Sequence, residues 1–247
     1  MVDVLIAGAG PAGSIAAIRL ARAGARVLLV DRARFPRDKL CGDTLNPGAM
    51  RLLDRFGLRG SVEAVSRPLE GMLLTGNGGV QVRGTYGGGL LARALTRRVL
   101  DQLLVDAAIA AGAQFQDNVR VHEPMVDESS GRPTVRGAVL CRTGAGASRL
   151  RVPARITIAA DGRRSTLAFA LGLASHPAAP RRWAVGAYFE GLAGLDTVGE
   201  MHVRGPSTGS AATCRSRSRA GSAKPSRAGV TRQTLARPRS PIGETPM

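Results

Sequence analysis

The sequence predicts an α/β fold: a parallel sheet covered by helices, part of a second β-sheet, and a C-terminal tail without order. Three observations predict it. A strand, a glycine turn, a helix and a second strand fill the stretch ending at Asp31. Another buried strand, Arg155–Ala160, follows a long helical pattern further on. Apolar patterning then stops after Val203.

Val4-Leu5-Ile6-Ala7 is a short apolar run of the kind that forms a buried strand. Gly8 to Gly13 makes the turn, and Ser14 to Ala23 reads as a helix ended by Gly24. Arg26 to Val30 is the second strand, closed by Asp31. A charged loop runs to Pro47, where a helix starts and stops near Gly57. Residues 62–90 read as short strands, with Gly76-Asn77-Gly78-Gly79 as a hairpin turn. Leu91, Leu95, Val99, Leu103 and Ala107 recur at four-residue steps and predict a helix from Leu90 to Ala111, capped by Gly112. Strands follow at Gln114–Met125, Thr134–Arg142, Ser148–Pro153 and Arg155–Ala160, then Asp161-Gly162 and a short helix to Leu171. Trp183–Phe189 and Glu200–Val203 read as strands of a second sheet. These elements divide into a discontinuous cofactor domain (1–61 and 91–175), a partial substrate-domain sheet (62–90 and 176–204) and a tail (205–247).

The net charge of +17 is uneven. Residues 205–247 hold eight Lys/Arg against Glu244, so they supply +7, and +10 is spread over the preceding 204 residues. The tail has no Phe, Tyr or Trp and includes Arg215-Ser216-Arg217-Ser218-Arg219. Such a segment buries too little apolar surface to offset its ordering entropy, so disorder is expected. Without aromatics for stacking it is not a specific nucleic-acid reader. The three cysteines, Cys41, Cys141 and Cys214, have neither even number nor zinc-ligand spacing. No apolar run approaches the roughly 18 residues of a membrane span. A cytoplasmic location follows as the default, with peripheral membrane contact left open.

Gly8, Gly10 and Gly13 form G-x-G-x-x-G, a motif that chance produces easily in a chain with 32 glycines. Its context makes it informative: a strand before, a helix and strand after, and an acid at that strand's end. This is a Rossmann-like dinucleotide unit. Gly8 allows the tight turn, Gly10 lets backbone approach a pyrophosphate, and Gly13 lets helix and strand pack closely. The helix start, with Pro11 and Ala12, offers free N–H groups and its positive dipole end. Asp31 is placed to accept from adenosine ribose hydroxyls, with Arg32 beside it. The motif alone does not separate FAD from NAD. Histidines 122, 176 and 202 share no spacing with an acid or nucleophile, so no hydrolase arrangement emerges.

Further motifs carry a resemblance. Pro36-Arg37-Asp38-Lys39-Leu40-Cys41-Gly42-Asp43 is similar to the P-R-x-K-x-C-G-[GD] stretch of the geranylgeranyl reductase family. That family belongs to the FAD-dependent oxidoreductases with the fold of aromatic hydroxylases. Ala159-Ala160-Asp161-Gly162 resembles their D-G motif, and Arg97-Arg98-Val99-Leu100-Asp101 their R-x-x-x-D helix start. The resemblance covers about residues 2–204. It implies FAD as cofactor, with Asp161 and Gly162 at the ribityl or pyrophosphate region, Arg97 supporting the pyrophosphate, and Cys41 and Gly42 near the isoalloxazine ring. Each role has an ordinary structural counterpart. Asp161 could cap the next helix, Cys41 could be a small buried hydrophobe, and Arg97 could be a solvated helix residue. Arg37 and Lys39 read as surface charges.

What the resemblance implies about activity is reduction of double bonds in a prenyl lipid or quinone side chain, a hydrophobic small-molecule substrate, with NAD(P)H as candidate electron donor. FAD-dependent monooxygenation or halogenation is the alternative, and an inactive FAD-binding fragment a third reading. No catalytic residue can be named. Relatives continue past residue 204 with further strands and a second flavin-contacting segment, which this sequence lacks. The abrupt change after Gly205 therefore predicts a truncated or frameshifted C-terminal part.

Overall fold

The computed structural model describes residues 2–129, 131–142, 148–176, 186–189 and 196–203, and the backbone of 213–215. In chain order its elements are β1 (Val2–Ala7), α1 (Pro11–Arg22), β2 (Val27–Val30), β3 (Thr44–Leu45), α2 (Pro47–Asp54), α3 (Arg59–Val65), β4 (Arg67–Leu69), β5 (Gly71–Thr75), β6 (Gln81–Thr85) and β7 (Ala92–Ala94). They continue with α4 (Arg97–Ala110), β8 (Gln114–Gln116), β9 (Val119–Asp127), β10 (Thr134–Arg142), β11 (Arg149–Ala159), α5 (Thr166–Ala170), β12 (Val198–His202) and β13 (Thr213–Arg215).

The main sheet runs β8-β2-β1-β11-β10-β9. Its first four strands are parallel, while β10 pairs antiparallel with both β11 and β9. Both faces of β1 are buried, which explains its unbroken apolar run. Val4 and Ile6 pack with Ile18 of α1 and Leu100, Leu104 and Ala108 of α4. Leu5 and Ala7 pack on the other face with Val121, Leu140 and Leu167. A second sheet runs β13-β12-β5-β6, and a small antiparallel one runs β3-β7-β4.

Local chemistry sets the boundaries. Pro11 opens α1 at the first turn, where no intrahelical N–H is needed. Gly24 ends that helix at φ +85°, its N–H donating to the Ala21 carbonyl (2.9 Å). Asn46 caps α2 by accepting from the Ala49 N–H (2.8 Å), and Pro47 follows as its first residue.

Several expectations need correction. The helix expected from Leu90 begins at Arg97, with Thr96 as N-cap, because Ala92–Ala94 pair as a strand with β3 and β4. Its core face is Leu100, Leu104 and Ala108. The stripe Val99, Leu103 and Ala107 instead lines an open groove of about 730 Å³ with Pro36, Leu58 and Val65. Residues 62–65, read as strand, belong to α3, whose Val62 is fully buried. The strand expected over Gln114–Met125 is two strands separated at Asn118, which has φ +55°. The two strands expected at Ser148–Pro153 and Arg155–Ala160 are one. Pro153 falls where β11 passes from pairing with β10 to pairing with β1, a place that tolerates a missing N–H. Gly186–Phe189 form no strand. Thr213–Arg215, inside the tail expected to be disordered, pair with β12. The rest of that tail and Trp183–Val185 lie outside the described residues.

A Cβ on Gly13 would overlap the Gly8 carbonyl oxygen and come within 3.2 Å of the Ala160 side chain. Gly60, also helical, has open space around it. Gly13→Ala should therefore destabilise the chain by about 2 kcal/mol or more in urea unfolding. Gly60→Ala should stabilise it by about 0.5 kcal/mol. Equal effects at the two positions would contradict the close helix–strand approach.

Candidate functional site

The strands β2, β1 and β11 end side by side, and the Gly8–Gly13 turn, Asp31 and Asp161 all lie at these carboxyl ends. β1 stands between β2 and β11 and pairs in parallel with both. This is where open α/β sheets bind ligands.

The turn is held from two sides. Gly8 has φ +100°, and a Cβ there would collide with the Ala160 carbonyl and Asp161 Cα. The Ala9 N–H donates to Asp31 Oδ2 (2.9 Å), and the Ala33 N–H to Asp31 Oδ1 (2.9 Å). Asp31 is only 8% exposed. Its carboxylate therefore braces the turn, in addition to standing where a ribose is expected. Ser14 is fully buried, and its hydroxyl donates to the Ala9 carbonyl (3.2 Å). Pro11 and Ala12 form the first turn of α1, whose N-cap, Gly10, offers no side-chain cap. The opening amides are thus left for a ligand.

Two guanidiniums stand over Gly10. A Cβ there would meet Arg97 Nη2 at 3.5 Å and Arg37 Nη2 at 3.6 Å. Both are anchored on Asp101, which is fully buried. Arg97 Nε and Nη2 donate to its two oxygens (2.8 and 2.9 Å), and Arg37 Nη2 lies 3.0 Å from Oδ2. Arg37 Nε is also 3.9 Å from Asp31 Oδ2. Burial, the largest influence, lowers the Arg97 pKa, but the Asp101 carboxylate and then Cys41 together more than offset it and raise the value. The surface readings of Arg97 and Arg37 are therefore corrected: their side chains are 16% and 13% exposed. Lys39 is exposed, and its pKa is lowered by partial burial and then by Arg37, Arg32 and Arg97 nearby. Arg32 is exposed beside Asp31.

Asp161 does two things. Its Oδ2 accepts from the Thr166 N–H at the start of α5 (2.8 Å), while Ser165 supplies the N-cap. Its Oδ1 is buried and has no hydrogen-bond partner. Gly162, next to it, has φ +83° and opens a short 3-10 turn. Cys41 is exposed and interacts with Arg97, which rules out the buried-hydrophobe reading. Gly42 is exposed with open space about its Cα, and its carbonyl accepts from the Thr44 hydroxyl (3.0 Å).

These residues fit a dinucleotide. Gly10 leaves an approach that a side chain would fill, two cations flank it, and two buried polar atoms beside the turn, Arg37 Nη1 and Asp161 Oδ1, are unpaired. Buried unpaired groups are rare in folded chains and call for a partner. The sequence reading missed Arg37 and the anchoring role of Asp101. The four-residue step from Arg97 to Asp101 on one helix was a legible signal for that pair. For Arg37 the signal was its place in the P-R-x-K-x-C-G-[GD] stretch, where it was read as a surface charge.

Comparison with known proteins gives the family. The FAD binding domain family matches residues 1–203. The menaquinone reductase of Mycolicibacterium smegmatis is 37% identical over 179 residues, 70% of this chain and 41% of that protein. Digeranylgeranylglycerophospholipid reductase 1 of Methanopyrus kandleri is 33% identical over 177 residues, 69% of this chain and 42% of that one. The solved myxobacterial chondrochloren halogenase, an FAD-dependent enzyme, superimposes with a TM-score of 0.62 at 22% identity, over 68% of this chain and 39% of its own, and so shares the fold. The chain spans about two fifths of the length of the curated relatives it matches. With a dinucleotide cradle built from the residues that open this fold, and a family match across nearly all described residues, the chain belongs to the FAD-binding domain family.

Proposed function

We propose that this chain is the flavin-binding part of an FAD-dependent oxidoreductase that reduces double bonds in a prenyl lipid or quinone side chain. The observation that carries the FAD reading is the cradle at Gly10, where open helix amides and two guanidiniums meet one approach path. Reduced FAD supplies hydride in such reactions. The protein's own part is to bind and to orient. The α1 amides with Arg37 and Arg97 take the phosphates, as charge-assisted donors do. Asp31 braces the turn at the ribose end, and Asp161 Oδ1 offers an acceptor on the β11 side.

The substrate class is supported by the relatives' names and by apolar surface near the loop. Leu40, next to Cys41 in sequence, is 44% exposed, and the Tyr188 and Phe189 rings are largely exposed too. A Cβ on Gly186 would overlap Leu40, so the segment carrying Tyr188 and Phe189 lies against this loop. Among the described residues no helix is long and apolar enough to cross a membrane. NAD(P)H is the proposed electron donor.

The test is direct. The purified chain should take up FAD and turn yellow. With a reductant and a menaquinone or geranylgeranyl substrate, mass spectrometry should find products richer by two hydrogens per reduced bond. Oxygen-dependent hydroxylation or halogenation instead would contradict the reductase reading. FAD uptake with no product from any substrate would mark the chain as a binding fragment.

Two further outcomes follow from the cradle. Asp31→Ala should weaken FAD binding at least about ten-fold by fluorescence titration, because the turn loses its brace and the ribose its acceptor. Asp101→Asn should cost about 3 kcal/mol of stability in denaturant, since it leaves two nearly buried cations without their anion. Near-neutral effects at both positions would contradict the arrangement.

A further inference from the structure

The groove of about 730 Å³ between α3 and α4 takes no part in the cradle, yet its floor is apolar. Leu58 and Val65 line it from the α3 side, and Val99, Leu103, Ala107 and Ala110 from α4. Val65 and Val99 are 51% and 39% exposed. Apolar surface gathered in one open place, with polar groups at its rim, marks a site where another surface docks. Side chains four residues apart form the ridges by which two helices interlock, and Val99, Leu103 and Ala107 make such a row.

The neighbouring row on α4 carries charge in a definite order. Arg98, Gln102 and Asp106 also follow at four-residue steps and also line the groove. Arg98 stands at one end of the row and Asp106 at the other, about 12 Å apart along the helix axis. Between them, Gln102 Nε2 donates to Asp106 Oδ1 (2.7 Å) and holds that carboxylate in place. Arg98 lies 3.5 Å from Asp38, in a pair whose side chains are 51% and 66% exposed. An exposed pair of this kind contributes little, so exchanging it for another costs little. A surface with a cation at one end and an anion at the other is complementary to its own copy turned end for end.

We propose that a second copy of the chain docks in this groove, through antiparallel contact of the two α4 helices. The apolar row of each copy then lies in the groove of the other. A two-fold axis near Gln102 brings Arg98 of one copy to Asp106 of the other at both ends of the contact. Two chains that each carry +17 repel at long range, so opposite charges meeting locally decide which faces can touch. The contact is independent of the flavin reading, because none of the residues that form the cradle around Gly10 takes part in it.

The experiment is charge reversal, read by sedimentation equilibrium of the full chain in about 0.15 M salt. The wild-type chain should dimerise with a dissociation constant of roughly micromolar order. Arg98→Asp puts two like-charged pairs into the symmetric contact, and Asp106→Arg does the same with the opposite sign. Each should weaken self-association at least about ten-fold. The double variant Arg98→Asp/Asp106→Arg restores both pairs and should dimerise within about three-fold of wild type. An equimolar mixture of the two single variants should form a heterodimer, since an aspartate meets an arginine at both ends. Both positions are exposed, so all variants should unfold at the wild-type urea midpoint. A wild-type chain still monomeric at hundreds of micromolar would overturn the proposal, whether the groove stays open or takes another partner. A dimer indifferent to both reversals would overturn it as well, since it must use another face. So would a double variant, or a mixture, as weakly associated as the single variants.

Discussion

The bond between the Ala9 N–H and the Asp31 carboxylate is the constraint on which the site depends. It links the end of β2 to the turn leaving β1 and fixes the turn's path. With that path set, Gly13 can lie against Gly8, α1 can start at Pro11, and the amides at the helix start face outward rather than into the chain. The carboxylate is nearly buried and accepts two backbone N–H groups, an arrangement that holds a loop firmly. Remove it, and the cradle loses its floor although every strand of the main sheet remains.

The second constraint is electrostatic. Two arginines crowd one place above Gly10 and would repel each other without the buried Asp101 between them. Asp101 comes from the first turns of α4, whose inner face is otherwise apolar. The helix therefore does two jobs: Leu100, Leu104 and Ala108 close the core, while Asp101 and Arg97 carry charge to the edge of the sheet. Incoming phosphates would meet cations that are already placed, so little reorganisation is required of the protein.

Much of this was legible in the sequence because it is local. The strand, turn, helix and strand up to Asp31 follow from short apolar runs punctuated by glycine, and the hairpin at Gly76–Gly79 from its turn residues. The start of α4 was misread because Leu91, Leu95, Val99, Leu103 and Ala107 keep helical spacing across a boundary that Thr96 sets by capping. Four-residue steps drift around a helix, so that stripe ended up lining a groove while the next positions faced the core. Arg37 looked like one more charge in a basic loop. Its burial depends on Asp101, and the Asp43–Tyr188 bond on a residue 145 positions away. Such pairings have no local signature. They arise only once the sheet has brought distant segments to one edge.

The central claim is that the opening amides of α1, with Arg37 and Arg97, hold a pyrophosphate. The measurement closest to that claim is the phosphorus NMR spectrum of FAD as the wild-type chain is added. The account predicts that both phosphorus resonances shift and broaden on binding, and that the change is lost when Gly10 carries a valine side chain. Phosphorus signals identical with and without the protein, while the flavin itself binds, would contradict it.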